Sequence, residues 1–88
     1  MVTSSTKLFL KNLEHLVESY KESYRSDVRI KPKIIKTDNG LNIYNEENPA
    51  VLSNNFLQLI DDASRHIAAC SYYVMYDSNR EIPIVHVI

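Results

Sequence analysis

Residues 28–45 read VRIKPKIIKTDNGLNIYN, and their periodicity decides the fold. Val28, Ile30, Pro32 and Ile34 alternate with Arg29, Lys31 and Lys33, the two-residue repeat of a strand with one buried and one solvated face. Pro32 has no N–H to give a ladder, which assigns the strand to a sheet edge. Asp38, Asn39 and Gly40 then read as a turn, because Gly40, the only glycine in the chain, can adopt a positive φ and close a three-residue loop with a bulge. The return strand runs from Leu41 to Asn45. That loop sets Ile35 opposite Ile43 and Thr37 opposite Leu41, whereas a two-residue Asn-Gly turn would set Lys36 against Ile43, so packing favours the former.

On the N-terminal side, residues 6–25 change to a helical period. Phe9, Leu10, Leu13, Leu16, Val17, Tyr20 and Tyr24 recur at steps of three and four, giving one apolar stripe with Lys11, Glu14, His15, Glu18 and Lys21 on the flanks and far side. Ser4, Ser5 or Thr6 can cap its start. On the C-terminal side, Asn48 and Pro49 read as a cap and first-turn proline. The second helix has the stripe Leu52, Phe56, Leu59, Ile60, Ala63 and Ile67 and an expected end near Ala69. Residues 70–76 are rich in β-branched and aromatic side chains, residues 77–80 form a polar turn, and residues 82–88 return as a strand apolar on both faces. The expected fold class is α+β, one domain spanning residues 1–88 in helix-hairpin-helix-hairpin order, with a four-stranded antiparallel sheet backed by two helices.

Size and composition narrow the functional classes. A chain of 88 residues holds one small core, burying roughly 60–65% of its unfolded surface. Its 44% apolar and 24% charged residues are those of a globular domain. The lone Cys70 excludes an intrachain disulfide and any multi-cysteine zinc site. No apolar run reaches membrane-helix length and residues 1–7 lack signal-peptide character, so a cytoplasmic or nuclear, non-secreted protein without a membrane partner is expected. Residues 1–45 hold eight Lys/Arg against five Asp/Glu and residues 46–88 hold two against six, a charge asymmetry that can orient an encounter.

Motifs for chemistry are sparse. His15, His66 and His86 share no metal-ligand spacing, and adjacent Asp61 and Asp62 point about 100° apart on a helix. One glycine cannot build a phosphate-cradling loop. His66 and Cys70, four apart, approach each other only if the helix continues through both, and a lone Cys at a helix-to-strand junction is usually packing. No enzyme, cofactor or metal is therefore expected.

Two binding readings remain. Arg25, Arg29, Lys31, Lys33 and Lys36 hold half of the ten basic residues within twelve positions, and alternation sets Arg29, Lys31 and Lys33 on one face where they could follow phosphates. Charged residues that keep an edge strand from aggregating give the same pattern. Tyr72, Tyr73 and Tyr76 with Met75 exceed what a small core needs, and Val85 and Val87 lie in a terminal apolar strand that is either sealed inside the sheet or an edge waiting to pair. The leading expectation is a non-enzymatic protein-interaction module, an adaptor, regulatory subunit or inhibitor acting as a homodimer through Tyr72, Tyr73, Met75, Tyr76, Val85 and Val87. Nucleic-acid binding through the basic strand is the alternative.

Overall fold

The computed structural model of the chain describes residues 4–24, 30–65, 67 and 70–88. Phe9 and Leu13 stand about one turn apart on α1 (Ser4–Tyr24) and both are buried. On α2 (Asn54–Ser64), Phe56, Leu59, Ile60 and Ala63 make the matching buried stripe. These stripes meet one face of a sheet built from β1 (Pro32–Thr37), β2 (Gly40–Asn45), β3 (Tyr72–Asp77) and β4 (Ile82–Val87), so the fold is α+β. The Asn12 side-chain amide donates to the Ala63 carbonyl at 3.2 Å and ties the helices together.

All neighbouring strands are antiparallel and their order is β1-β2-β4-β3. The C-terminal strand thus lies inside the sheet, between β2 and β3. Following the pairs across the sheet gives one row Ile34, Ile43, Val85, Val74 and another Lys36, Leu41, Val87, Tyr72. Their central members join the helices in the core. The opposite face carries the row Ile35, Asn42, His86, Tyr73 and is not covered by either helix.

Three details of the expected helix-hairpin-helix-hairpin arrangement are corrected. The first turn is a two-residue one, Asp38 and Asn39, so Thr37 faces Gly40 and Ile34, not Ile35, faces Ile43. Gly40 serves as the first residue of β2: its φ is 156°, and a Cβ there would stand 2.0 Å from the Val87 carbonyl oxygen. The missing side chain lets β4 close against β2. A one-residue shift in register moves every β1 side chain to the other face, which is how Ile34 reaches the core.

The second helix starts at Asn54, later than the Asn48-Pro49 signal. Ser53 is extended at φ −68°, ψ 160°, and its hydroxyl accepts from the Phe56 N–H at 3.2 Å. Asn48 and Pro49 sit in a turn instead, anchored by buried Asn45, whose side-chain oxygen accepts from Lys31 N–H at 3.0 Å and Glu47 N–H at 3.2 Å. The helix also ends early, at Ser64, with Arg65 extended at ψ 139°. There the Ser64 hydroxyl donates to the Asp61 carbonyl at 3.0 Å, the local side-chain bond by which serine competes with helix continuation. The expected end at Ala69 and the strand start at Val28 lie on residues outside those described.

Candidate functional site

A sheet of this order has two edges, β1 and β3, and they differ in kind. Along β1, Pro32 removes one N–H, while Lys33 and Lys36 are exposed on opposite faces. Proline and lysine are the usual means by which an edge resists pairing with another chain. Along β3 neither device is present. Tyr73 and Met75 are exposed on the open face, and Val74 and Tyr76, 53% and 61% exposed, lie on the helix side beyond the reach of either helix.

The phase of the β3–β4 ladder shows which backbone groups face outward. Ile88 N–H donates to the Ser71 carbonyl at 2.9 Å, which makes Ser71 and Ile88 a hydrogen-bonded pair. Such pairs alternate in an antiparallel ladder, so Tyr73 with His86, Met75 with Ile84 and Asp77 with Ile82 also exchange bonds. The same phase puts Pro83 opposite Tyr76 where no N–H is needed on that side. Tyr72, Val74 and Tyr76 therefore turn their N–H and C=O groups away from β4, and no described residue pairs with that outer side.

Charged groups hold both ends of the strand and leave its middle neutral. At the start, the Tyr72 hydroxyl donates to Asp61 Oδ1 at 2.9 Å, while Arg65 lies 2.8 Å from Asp61 and 3.5 Å from Asp62. The Arg65 hydrogen bond and then that of Tyr72 hold the Asp61 carboxyl below its ordinary range. Burial, then the Asp61 hydrogen bond, pushes the Tyr72 phenol up. At the end, Asp77 Oδ1 accepts from the N–H groups of Asn79 and Arg80 at 3.0 and 3.3 Å, and Arg80 Nη1 bonds Asp77 Oδ2 at 2.8 Å. The Arg80 hydrogen bond is the largest cause of the lowered Asp77 value.

On the open face, His86 is buried between its neighbours, with Nδ1 hydrogen-bonded to Asn42 Oδ1 and its ring centroid 5.3 Å from that of Tyr73. Among the described residues its buried Nε2 has no partner. Lys33 stands directly across from Tyr44 on this face.

The structure sorts the expected site residues into three groups. Tyr72, Tyr73, Met75 and Tyr76 come together on β3, and the neighbouring Val74 belongs with them. Val85 and Val87 are both fully buried, facing the helices, and so cannot form an interface; insertion of β4 between β2 and β3 is the cause. Of the basic residues, Lys31 pairs with Glu46 at 3.5 Å, and Lys33 and Lys36 point to opposite faces; Arg25 and Arg29 lie outside the described residues. Of the His66 and Cys70 pair, His66 lies outside the described residues, and burial pushes the Cys70 thiol up, away from thiolate character. Among the described residues no three His, Cys, Asp or Glu side chains converge to hold a metal ion, and no helix is long and apolar enough to cross a membrane. Comparison with profiles of protein families, with curated proteins and with solved structures finds no match.

Proposed function

We propose that this chain is a non-enzymatic protein-interaction module, an adaptor or regulatory subunit, that accepts an extended segment along the outer edge of β3. The observation that carries the reading is the combination of outward backbone groups at Tyr72, Val74 and Tyr76 with exposed apolar side chains on both faces of the same strand. Strand addition draws affinity from main-chain hydrogen bonds and specificity from alternate side chains, and this edge offers both without a charged residue between Ser71 and Asp77. The contrast with β1, blunted by Pro32, Lys33 and Lys36, supports β3 as the receptive side. The single free thiol of Cys70 suits a reducing, cytoplasmic setting.

The test is panning of a peptide-display library against the chain immobilised at low density, with Val74→Pro as the counter-selection. Retained peptides are expected to alternate apolar residues and to slow amide exchange at Tyr72, Val74 and Tyr76. Peptides that protect other amides, or that bind Val74→Pro equally well, refute the reading. Lys33 opposite Tyr44 on the open face is the feature that favours nucleic acid instead. A labelled oligonucleotide bound there would lose affinity steeply with added salt and at Lys33→Gln.

A further inference from the structure

We infer that the segment accepted by β3 is β3 of a second copy, paired antiparallel about a twofold axis through Val74. The inference rests on the edge-strand reading above and names its partner. Antiparallel pairing is compatible with twofold symmetry, in which one patch meets itself. Because Tyr72, Val74 and Tyr76 carry the outward backbone groups, hydrogen-bonded pairs across the new ladder must join these residues to one another. Centring on Val74 sets Val74 against Val74 and Tyr72 against Tyr76 of the other copy, so all three donor-acceptor sets are used.

The same register matches the side chains. On the open face Tyr73 meets Met75 of the other copy, a sulfur-aromatic pairing. On the helix side the tyrosine pairs flank the central valines. Asp77 falls opposite Ser71, so no like charges face each other. Moving the axis to Met75 would put Asp77 against Tyr73, and moving it to Tyr73 would leave Tyr76 beyond the start of the partner strand, opposite Cys70. Only the Val74 register pairs residues 72–76 entirely with one another, uncharged against uncharged.

Size sets the strength. The two roughly half-exposed tyrosines with Val74 and Met75 give on the order of 700 Å² for the pair, below the roughly 1,200 Å² of standard stable interfaces. The dimer is therefore concentration-dependent and, lacking charge across the seam, insensitive to salt.

Sedimentation of the unmodified chain over a concentration series is expected to rise from 10.2 kDa toward twice that value, at low and high salt alike. Amide protection at Tyr72, Val74 and Tyr76 should rise about 10-fold or more over the same series. In a Cys70→Ser background, Val74→Cys chains should cross-link to themselves under a mild oxidant. Tyr73→Cys and Met75→Cys should cross-link when mixed but not separately, because equal positions two residues out of register exceed disulfide reach. A dimer that cross-links through Tyr73→Cys or Met75→Cys alone, or through none of the three, overturns the inference. A chain that stays monomeric yet retains edge-binding peptides also overturns it while leaving the interaction module standing. A monomer whose edge amides never gain protection removes both.

Discussion

Replacing Gly40 by alanine tests the contact on which the sheet order depends. The added Cβ would sit 2.0 Å from the Val87 carbonyl oxygen and 3.1 Å from its carbon, so β2 and β4 must separate by more than 1 Å to restore ordinary contact. The backbone there has φ 156°, a region nearly reserved for glycine, and forcing alanine into it costs about 1–3 kcal/mol. Separation also weakens the two hydrogen bonds that the ladder phase assigns to Leu41 and Val87, at about 1 kcal/mol each. Together these give a loss of roughly 3–5 kcal/mol, a large part of the roughly 4–13 kcal/mol expected for a chain of this length. Urea unfolding followed by circular dichroism should show the midpoint falling by roughly a quarter or more, with Asn39→Ala, the adjacent residue in the exposed turn, as the control. A loss under about 1 kcal/mol would refute the reasoning, because it would mean that β4 does not close against β2 at Gly40.

Two further outcomes separate the core from the edge. Tyr76→Lys should leave unfolding within about 0.5 kcal/mol of the unmodified chain, because Tyr76 is 61% exposed, while lowering self-association 10-fold or more. Val87→Asp should unfold the chain, since a charge at a fully buried position has no partner, and a folded, monomeric Val87→Asp would contradict the internal place of β4. The Tyr72 phenol, raised by burial and by Asp61, ionises above the ordinary 10.0. A raised value means that its contribution to stability is complete below pH 10.0 and lost as the pH climbs through the folded value. Tyr72→Phe should accordingly remove the late part of the phenolate absorbance titration, and Asp61→Asn should move that part down; loss of an early part would contradict the contact.

The helices and strands were legible because each carries its own period. Phe9 and Leu13, Phe56 and Ile60, and Ile34 alternating with Lys33 all report local burial. Boundaries were less so, since they are settled by side-chain competition for backbone groups. Ser53 captures the Phe56 N–H five residues after the Asn48 signal, and Ser64 shares the Asp61 carbonyl with the Arg65 N–H where the helix ends, before the apolar spacing reaches Ile67. The alternation of Ile34 with Lys33 agrees with the observed register of the first hairpin, but the three-residue loop does not, and the close approach of the Val87 carbonyl to Gly40 adds a constraint from outside residues 28–45.

Strand order had the same non-local origin, and it governs the candidate site. Val85 and Val87 read as apolar on a strand that is apolar on both faces, which suits an internal strand or an unfilled edge equally well. Placing β4 beside β2 resolves the ambiguity: the valines face the helices, while Ile84 and His86, on the other face, are buried as well. The sheet must still end somewhere, and β3 becomes that end. Tyr73, Val74, Met75 and Tyr76, apolar with both parities like an internal strand, then stand exposed on either face. If aggregation resistance alone had shaped this edge, lysine and proline would be expected on it, as they occur on β1. An apolar edge opposite a protected one is the asymmetry that the proposed extension of the sheet from one side requires.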